Sequence, residues 1–169
     1  WRKAPRLTFP RSVSVDGAIG QVFRSCYEHW LINEAVALAG ADSEGVHQMR
    51  VALRRLRTAL KVFAGAIPTD QMAWLKSESK WLADSLGMAR EWDVFFEGVL
   101  DPLDALRPGD SALAALRLPC TAARDAGYNA VRSAIGSHRY TDFVLRFGFW
   151  LESAGWRHGD QQAQLNSSL

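Results

Sequence analysis

The chain has 169 residues, 48% of them apolar, and a formal net charge of +2. That length carries one domain with a real core, the composition is that of an ordinary globular protein, and the small net charge excludes a molecule that is basic all over. Of the 20 basic residues 16 are arginine, which favours planar, bidentate contact with phosphate or carboxylate over a simple point charge.

Trp1 to Arg11, with Pro5, Pro10 and three arginines in its length, reads as extended. Residues 1–13 are taken as a linker, and a start at Trp1 rather than Met reads as a cut through a longer protein. Ser14 can cap a first helix running to about Ala39, with Ile19, Val22, Phe23, Cys26, Trp30 and Leu31 as its apolar side. Gly40 to Ser43 is a short turn, and Asp42 or Ser43 can cap a second helix. That helix ends near Gly65, before the helix-breaking Pro68. A third starts near Thr69 or Asp70 and carries Met72, Leu75, Leu82 and Leu86. Gly87 is its expected C-terminal break. Trp30, Trp74 and Trp81 read as core.

Arg90 to Leu106 is expected to be a fourth helix, bent at Gly98 or Pro102. After the loop Arg107-Pro108-Gly109-Asp110, Ser111 to Ile135 is helical again, with a doubtful break at Pro119. His138 to Trp156 is the last helix, and 158–169 is read as a polar, disordered tail. No segment alternates with period two over a useful length. The expectation is an all-α, antiparallel helical bundle occupying 14–157. Cys26 and Cys120 lie far apart and form no CxxC, so a disulfide framework is not expected and a reducing cytoplasm is the default. No apolar run approaches the roughly 18 residues of a membrane span, and no signal peptide is visible.

The second helix is the informative one. At about 100° per residue, Met49, Leu53, Leu56, Leu60 and Phe63 fall within an arc of roughly 80°. His47, Arg50, Arg54, Arg57 and Lys61 fall within a similar arc on the opposite side, and Arg55 stands apart on the flank. From Gly45 to Thr69 there is no Asp or Glu. A solvated face usually mixes both signs, because like charges at i,i+4 oppose the helix. Here the row, about 21 Å long at 1.5 Å per residue, has nothing local to neutralise it. A polyanion would complete it, and so would acidic side chains from other helices. Lys76 and Lys80, one turn apart on the third helix, either extend the basic wall or form a solvated face with Glu78.

His47-Gln48-Met49-Arg50-Val51-Ala52-Leu53-Arg54-Arg55-Leu56-Arg57 resembles the signature of the CHAD domains, the conserved histidine α-helical domains. Trp81 to Val94, containing Leu86-Gly87, Arg90 and Asp93-Val94, is similar to the family's second block, with Glu91 where aspartate is common. Arg139-Tyr140 to Trp150-Leu151 is a looser match. The resemblance covers about residues 14–157. It implies a helical domain that binds inorganic polyphosphate through basic residues, and it adds Arg90 to the candidate contacts. Arg24, Arg139 and Arg146 are weaker candidates.

Family members often follow a CYTH triphosphatase domain, which fits the linker-like start. The family's full domain has two related helical halves. No second histidine–arginine helix follows residue 157, so the chain reads as one half, plus an extra helix, of a two-bundle domain, and self-association into a homodimer is expected from that.

Catalysis is not expected. Phosphoryl transfer usually wants Mg²⁺ held by carboxylates and a positioned nucleophile, and the basic region has no carboxylate, P-loop or G-x-S-x-G. No cofactor is implied. His47 has no His, Cys, Asp or Glu at i+3 or i+4, which makes it a poor metal ligand; as a phosphate donor it can use both ring nitrogens when protonated. Nucleic acid is the less favoured polyanion, because the face interleaves no aromatics for base stacking and offers only Gln48 for base edges. The expected partner is inorganic polyphosphate in the cytoplasm, including polyphosphate granules. Docking of an acidic protein is the alternative.

Overall fold

A computed structural model describes residues 1–157. Seven α-helices follow one another: α1 (Val15–Ala39), α2 (Ser43–Val62), α3 (Thr69–Ser85), α4 (Gly87–Phe95), α5 (Asp101–Leu106), α6 (Ser111–Ile135) and α7 (His138–Glu152). The protein is all-α, as the periodicity predicts, and no strand occurs among the described residues. No helix there is long and apolar enough to cross a membrane.

Local chemistry sets the helix ends. Ser14 Oγ accepts from Gly17 N at 3.0 Å and starts α1. Asp42 caps α2 by accepting from Glu44 N at 2.9 Å. Both bonds satisfy amide groups that a helix N-terminus leaves orphaned. The α2 helix stops at Val62, earlier than Gly65, and a 3₁₀ turn over Ala64–Ala66 leads to Pro68. The expected fourth helix is divided: α4 passes through a π-helical turn, Phe96–Leu100, into α5, where Pro102 sits in the first turn. The α6 helix runs unbroken through Pro119. Pro119 is exposed there, so water can serve the carbonyl that loses its helical donor. The α7 helix ends at Glu152, and its expected last turn is a 3₁₀ segment, Gly155–Arg157.

Four helices make the main bundle. Gly45 lies against the backbone of Ala37, where an added Cβ would come within 2.5 Å of the amide nitrogen, so only glycine permits that approach of α2 to α1. His29 reaches Gln48 at 3.1 Å and Ser25 reaches Arg55 at 3.1 Å. One partner number falls as the other rises, so the two helices are antiparallel. The α7 helix runs antiparallel to both α1 and α3. Trp30 Nε1 donates to Tyr140 Oη at 2.9 Å and Tyr27 Oη to Val144 O at 3.0 Å. Arg139 bonds Glu78 at 2.7 Å, and Trp150 Nε1 donates to Gln71 at 2.7 Å.

Between these helices Ile19, Phe23, Trp30, Met49, Leu53, Leu56, Leu60, Leu75, Leu82, Phe143 and Phe147 are buried. Each such side chain contributes about 1.5–3 kcal/mol on leaving water. Trp74 and Trp81 are only partly buried. Arg146 and Arg139 lie over their rings at 4.7 and 4.4 Å from the centroids, so these two tryptophans cover the core edge and also hold surface cations.

The α4 and α6 helices pack beside the bundle. Gly127 lets them meet closely, since a Cβ there would come within 2.8 Å of Ala89 N. Asp93, 1% exposed, accepts from Arg124 Nε at 2.8 Å and from Tyr128 Oη at 2.9 Å. The N-terminal stretch has no helix or strand, only a turn at Arg11–Ser12, and it is not a free linker at its beginning. Arg2 N donates to Asn33 Oδ1 and Arg2 O accepts from Asn33 Nδ2, both at 2.9 Å. The expectation for 158–169 lies outside the described residues.

Candidate functional site

The basic row of α2 forms one wall of a recess of about 330 Å³ lined by His47, Arg50, Val51, Arg54, Arg57, Ala83 and Arg90. Its opposite wall comes from the end of α3 and from α4. The row is not diametrically opposed to the apolar stripe, as a flat reading of two faces suggests. At 100° per residue its centre lies about 120° from the stripe. The stripe enters the core, and the row therefore falls beside the α3–α4 junction, where His47 and Arg50 are half-buried. Arg54, Arg57 and Lys61 are exposed.

Arg50 is fixed in place. Its Nη1 donates to Ala83 O at 2.6 Å, one of the last carbonyls of α3, which has no helical donor of its own. The rest of its planar guanidinium borders the recess. Arg90 is set into the facing wall by α4, with a side chain 20% exposed. Its Nη1 is buried and makes no hydrogen bond; the nearest carboxylate oxygen, Glu97 Oε2, is 3.6 Å away, too far for one. Arg90 does not pair with Asp93, which is committed to Arg124 and Tyr128. That commitment could not be seen in sequence, because the partners are about thirty residues on, in α6.

The other candidates separate. Arg55 stands on the opposite flank of α2 and faces α1: Nη2 donates to Ser25 Oγ at 3.1 Å, and the side chain lines a different, largely apolar recess with Leu7, Val22, Val62 and Phe63. Arg54 borders both recesses. Lys61 continues the row beyond the recess lining. Lys76 and Lys80 do not line it either, and Lys80 pairs with Asp84 at 2.5 Å on its own helix. Arg24, Arg139 and Arg146 pair with Glu152, Glu78 and Asp142.

Among the described residues, α2 is the one cation-bearing helix in which no cation has a carboxylate within 4.0 Å. Arg24, Lys80, Arg90, Arg107, Arg117, Arg124, Arg139, Arg146 and Arg157 each have a carboxylate within 4.0 Å. Among the described residues, Arg50, Arg54, Arg55, Arg57 and Lys61 have none. The alternative in which acids from other helices complete the row is therefore not what the described residues do. All five cations of α2 stay uncompensated, whereas nine of the fifteen cations elsewhere find acids; among the described residues Arg2, Lys3, Arg6, Arg11, Lys76 and Arg132 also have none.

The recess lining contains no carboxylate, thiol or hydroxyl and no aromatic ring other than the His47 imidazole. Among the described residues no three His, Cys, Asp or Glu side chains gather where a metal ion could be held. The arrangement can hold oxygen-rich anions by charge and by directed N–H groups.

Comparison with known proteins gives concordant matches. The family model described as CHAD domain matches residues 21–167. The crystal structure of the CHAD domain from the plant Ricinus communis superposes with a TM-score of 0.76 at 32% identity, covering 89% of this chain and 50% of that one. An uncharacterized protein of Mycobacterium tuberculosis strain H37Rv is 38% identical over 65 residues, and its counterpart in strain CDC 1551 is 37% identical over 65. The chain spans half the length of the plant structure, and the matched stretch is 13% of each mycobacterial protein.

Proposed function

We propose that this chain, which belongs to the CHAD domain family, binds inorganic polyphosphate in the recess between α2 and the α3–α4 junction. The observation that carries the reading is the pairing contrast: Arg50, Arg54 and Arg57 share one concavity with His47 and Arg90, and none of those three has a described carboxylate partner. Uncompensated like charges within a turn of each other oppose the helix, and a linear polyanion relieves that opposition along its length. Arg50, Arg54, Arg57, His47 and Arg90 are the primary contacts. Lys61 extends the track from one end. Arg55, Lys76 and Lys80 contribute at most through their field.

The role is binding, for localisation or regulation, and not catalysis. What supports this is the lining itself, which offers donors and no group that could act as nucleophile or hold Mg²⁺. The expected setting is the cytoplasm, at polyphosphate granules. A second copy of the chain is the proposed protein partner, through the exposed α7 residues Leu145 and Phe149. The rival ligands are an acidic protein and nucleic acid. The lining carries no ring on which bases could stack apart from His47, and this favours a ligand that is phosphate alone.

The test is titration of the chain with polyphosphate, single-stranded DNA and polyglutamate at matched charge. Polyphosphate binding tightest supports the reading. Equal binding of all three reduces the site to a nonspecific cationic face.

A further inference from the structure

Glu97, in the π-helical turn Phe96–Leu100 that follows α4, lies beside Arg90 and outside the residues that line the recess. There its carboxylate has two neighbours. Ser43 Oγ, in the first residue of α2, donates to Oε1, and Oε2 lies 3.6 Å from Arg90 Nη1. That separation is short enough for attraction and too long for a hydrogen bond. Arg90 Nη1 is thereby covered from water and left without an acceptor. A desolvated donor without a partner carries a cost that a well-placed oxygen would remove. Arg90 and Glu97 are seven residues apart, about two helical turns, and this spacing sets them on one face of the segment.

Resting on the polyphosphate reading above, we propose that Glu97 is a tethered competitor for Arg90: in the free protein it is held beside Arg90 by Ser43, and it yields to a phosphate group on binding. The exchange gives Arg90 Nη1 a charge-assisted hydrogen bond in place of a 3.6 Å contact, and water takes over from Ser43 as the partner of the displaced carboxylate. Glu97 is half-exposed, with 49% of its side chain accessible, so it can swing into water without disturbing the core. The carboxylate then sets the affinity of the site below what its cations alone would give.

Glu97→Gln keeps the volume and the acceptor for Ser43 Oγ and removes the charge beside Arg90. The full chain is titrated with polyphosphate of defined length as wild type, Glu97→Gln, Arg90→Ala and the double variant, with thermal melts confirming that each folds. The expected result is that Glu97→Gln tightens binding about fivefold, the scale of releasing one partly exposed ion pair, and that the gain disappears in the Arg90→Ala background. An unchanged or weaker Glu97→Gln affinity overturns the proposal. So does an equal gain with Arg90 absent, which would mark a general charge effect. Wild-type binding that Glu97→Gln leaves unchanged defeats the role of Glu97 alone, whereas no binding by any variant defeats the polyphosphate reading itself.

Discussion

Arg50 and Ala83 join the two walls of the recess: the guanidinium Nη1 donates to the backbone carbonyl at 2.6 Å. One residue thus caps the end of α3 and faces the recess. Arg50→Ala is expected to lose polyphosphate affinity and also about 1 kcal/mol of stability, the net worth of such a bond, read as a lower urea midpoint with unchanged slope. Arg50→Lys keeps the charge but not the fork, and is expected to recover only part of either. If Arg50→Ala leaves the midpoint unchanged, the bond to Ala83 has no structural weight.

The anchor between α4 and α6 is a second case, in stability rather than binding. Asp93 is buried, and its carboxylate is shared by Arg124 and Tyr128. Burial, with the Asp93 hydrogen bond, also pushes the Tyr128 hydroxyl well above the usual tyrosine range. Arg124→Ala strands the carboxylate and is expected to cost about 3 kcal/mol. Asp93→Asn is expected to cost less, because Arg124 can turn to water. Chemical denaturation of the two variants checks the order. A smaller loss for Arg124→Ala than for Asp93→Asn contradicts it.

These two cases show where sequence reasoning stops. The helices were legible because their apolar positions recur at helical spacing and because Ser14 and Asp42 are strong caps. The stripe of Met49, Leu53, Leu56 and Leu60 enters the core as its period demands. The basic row was legible as uncompensated along its own helix. Its setting was not. The recess exists because α3 ends at Ser85 and α4 departs beside Arg50, which depends on packing between segments more than thirty residues apart. Arg55 differs from Arg54 by one position, yet 100° of rotation turns it toward Ser25 of α1. Glu97 was invisible as a neighbour of Ser43, because the two lie 54 residues apart and meet only through packing.

A pH dependence follows from His29. Its imidazole is buried against Gln48 and the Arg2 carbonyl, and burial, reinforced by nearby Arg55, holds its pKa below the ordinary value although the Gln48 and Arg2 contacts act in the opposite direction. The unfolded chain therefore takes up the proton first as pH falls. The stability contribution is fully present above about pH 6.5, the unfolded value, and is lost progressively below it. Urea midpoints at pH 7.5 and 5.5 should differ more for wild type than for His29→Gln. Equal differences contradict a buried neutral His29.

The proposed self-association surface is on α7, where Leu145 and Phe149 are one turn apart and 66% and 74% exposed. With Trp74 and Trp150 they border a recess of about 450 Å³. Exposed apolar surface of this kind drives association. Sedimentation at micromolar concentration is expected to show a dimer that Phe149→Asp converts to monomer. A wild-type monomer that still binds polyphosphate tightly would show that one copy is sufficient.

The most direct measurement is the salt dependence of polyphosphate binding by wild type and by Arg54→Ala/Arg57→Ala. Both arginines are exposed and line the recess, so their loss opens no core cavity and helicity should be unchanged. By analogy with single strands, each phosphate contact contributes about −0.7 to the log–log slope, so a recess with four to six contacts gives roughly −3 to −4. The double variant is expected to bind much more weakly, with a slope shallower by about 1.4, the share of two contacts. A wild-type affinity indifferent to salt, or a folded double variant that binds as tightly as wild type with the same slope, would contradict the assignment of this recess as a polyphosphate site.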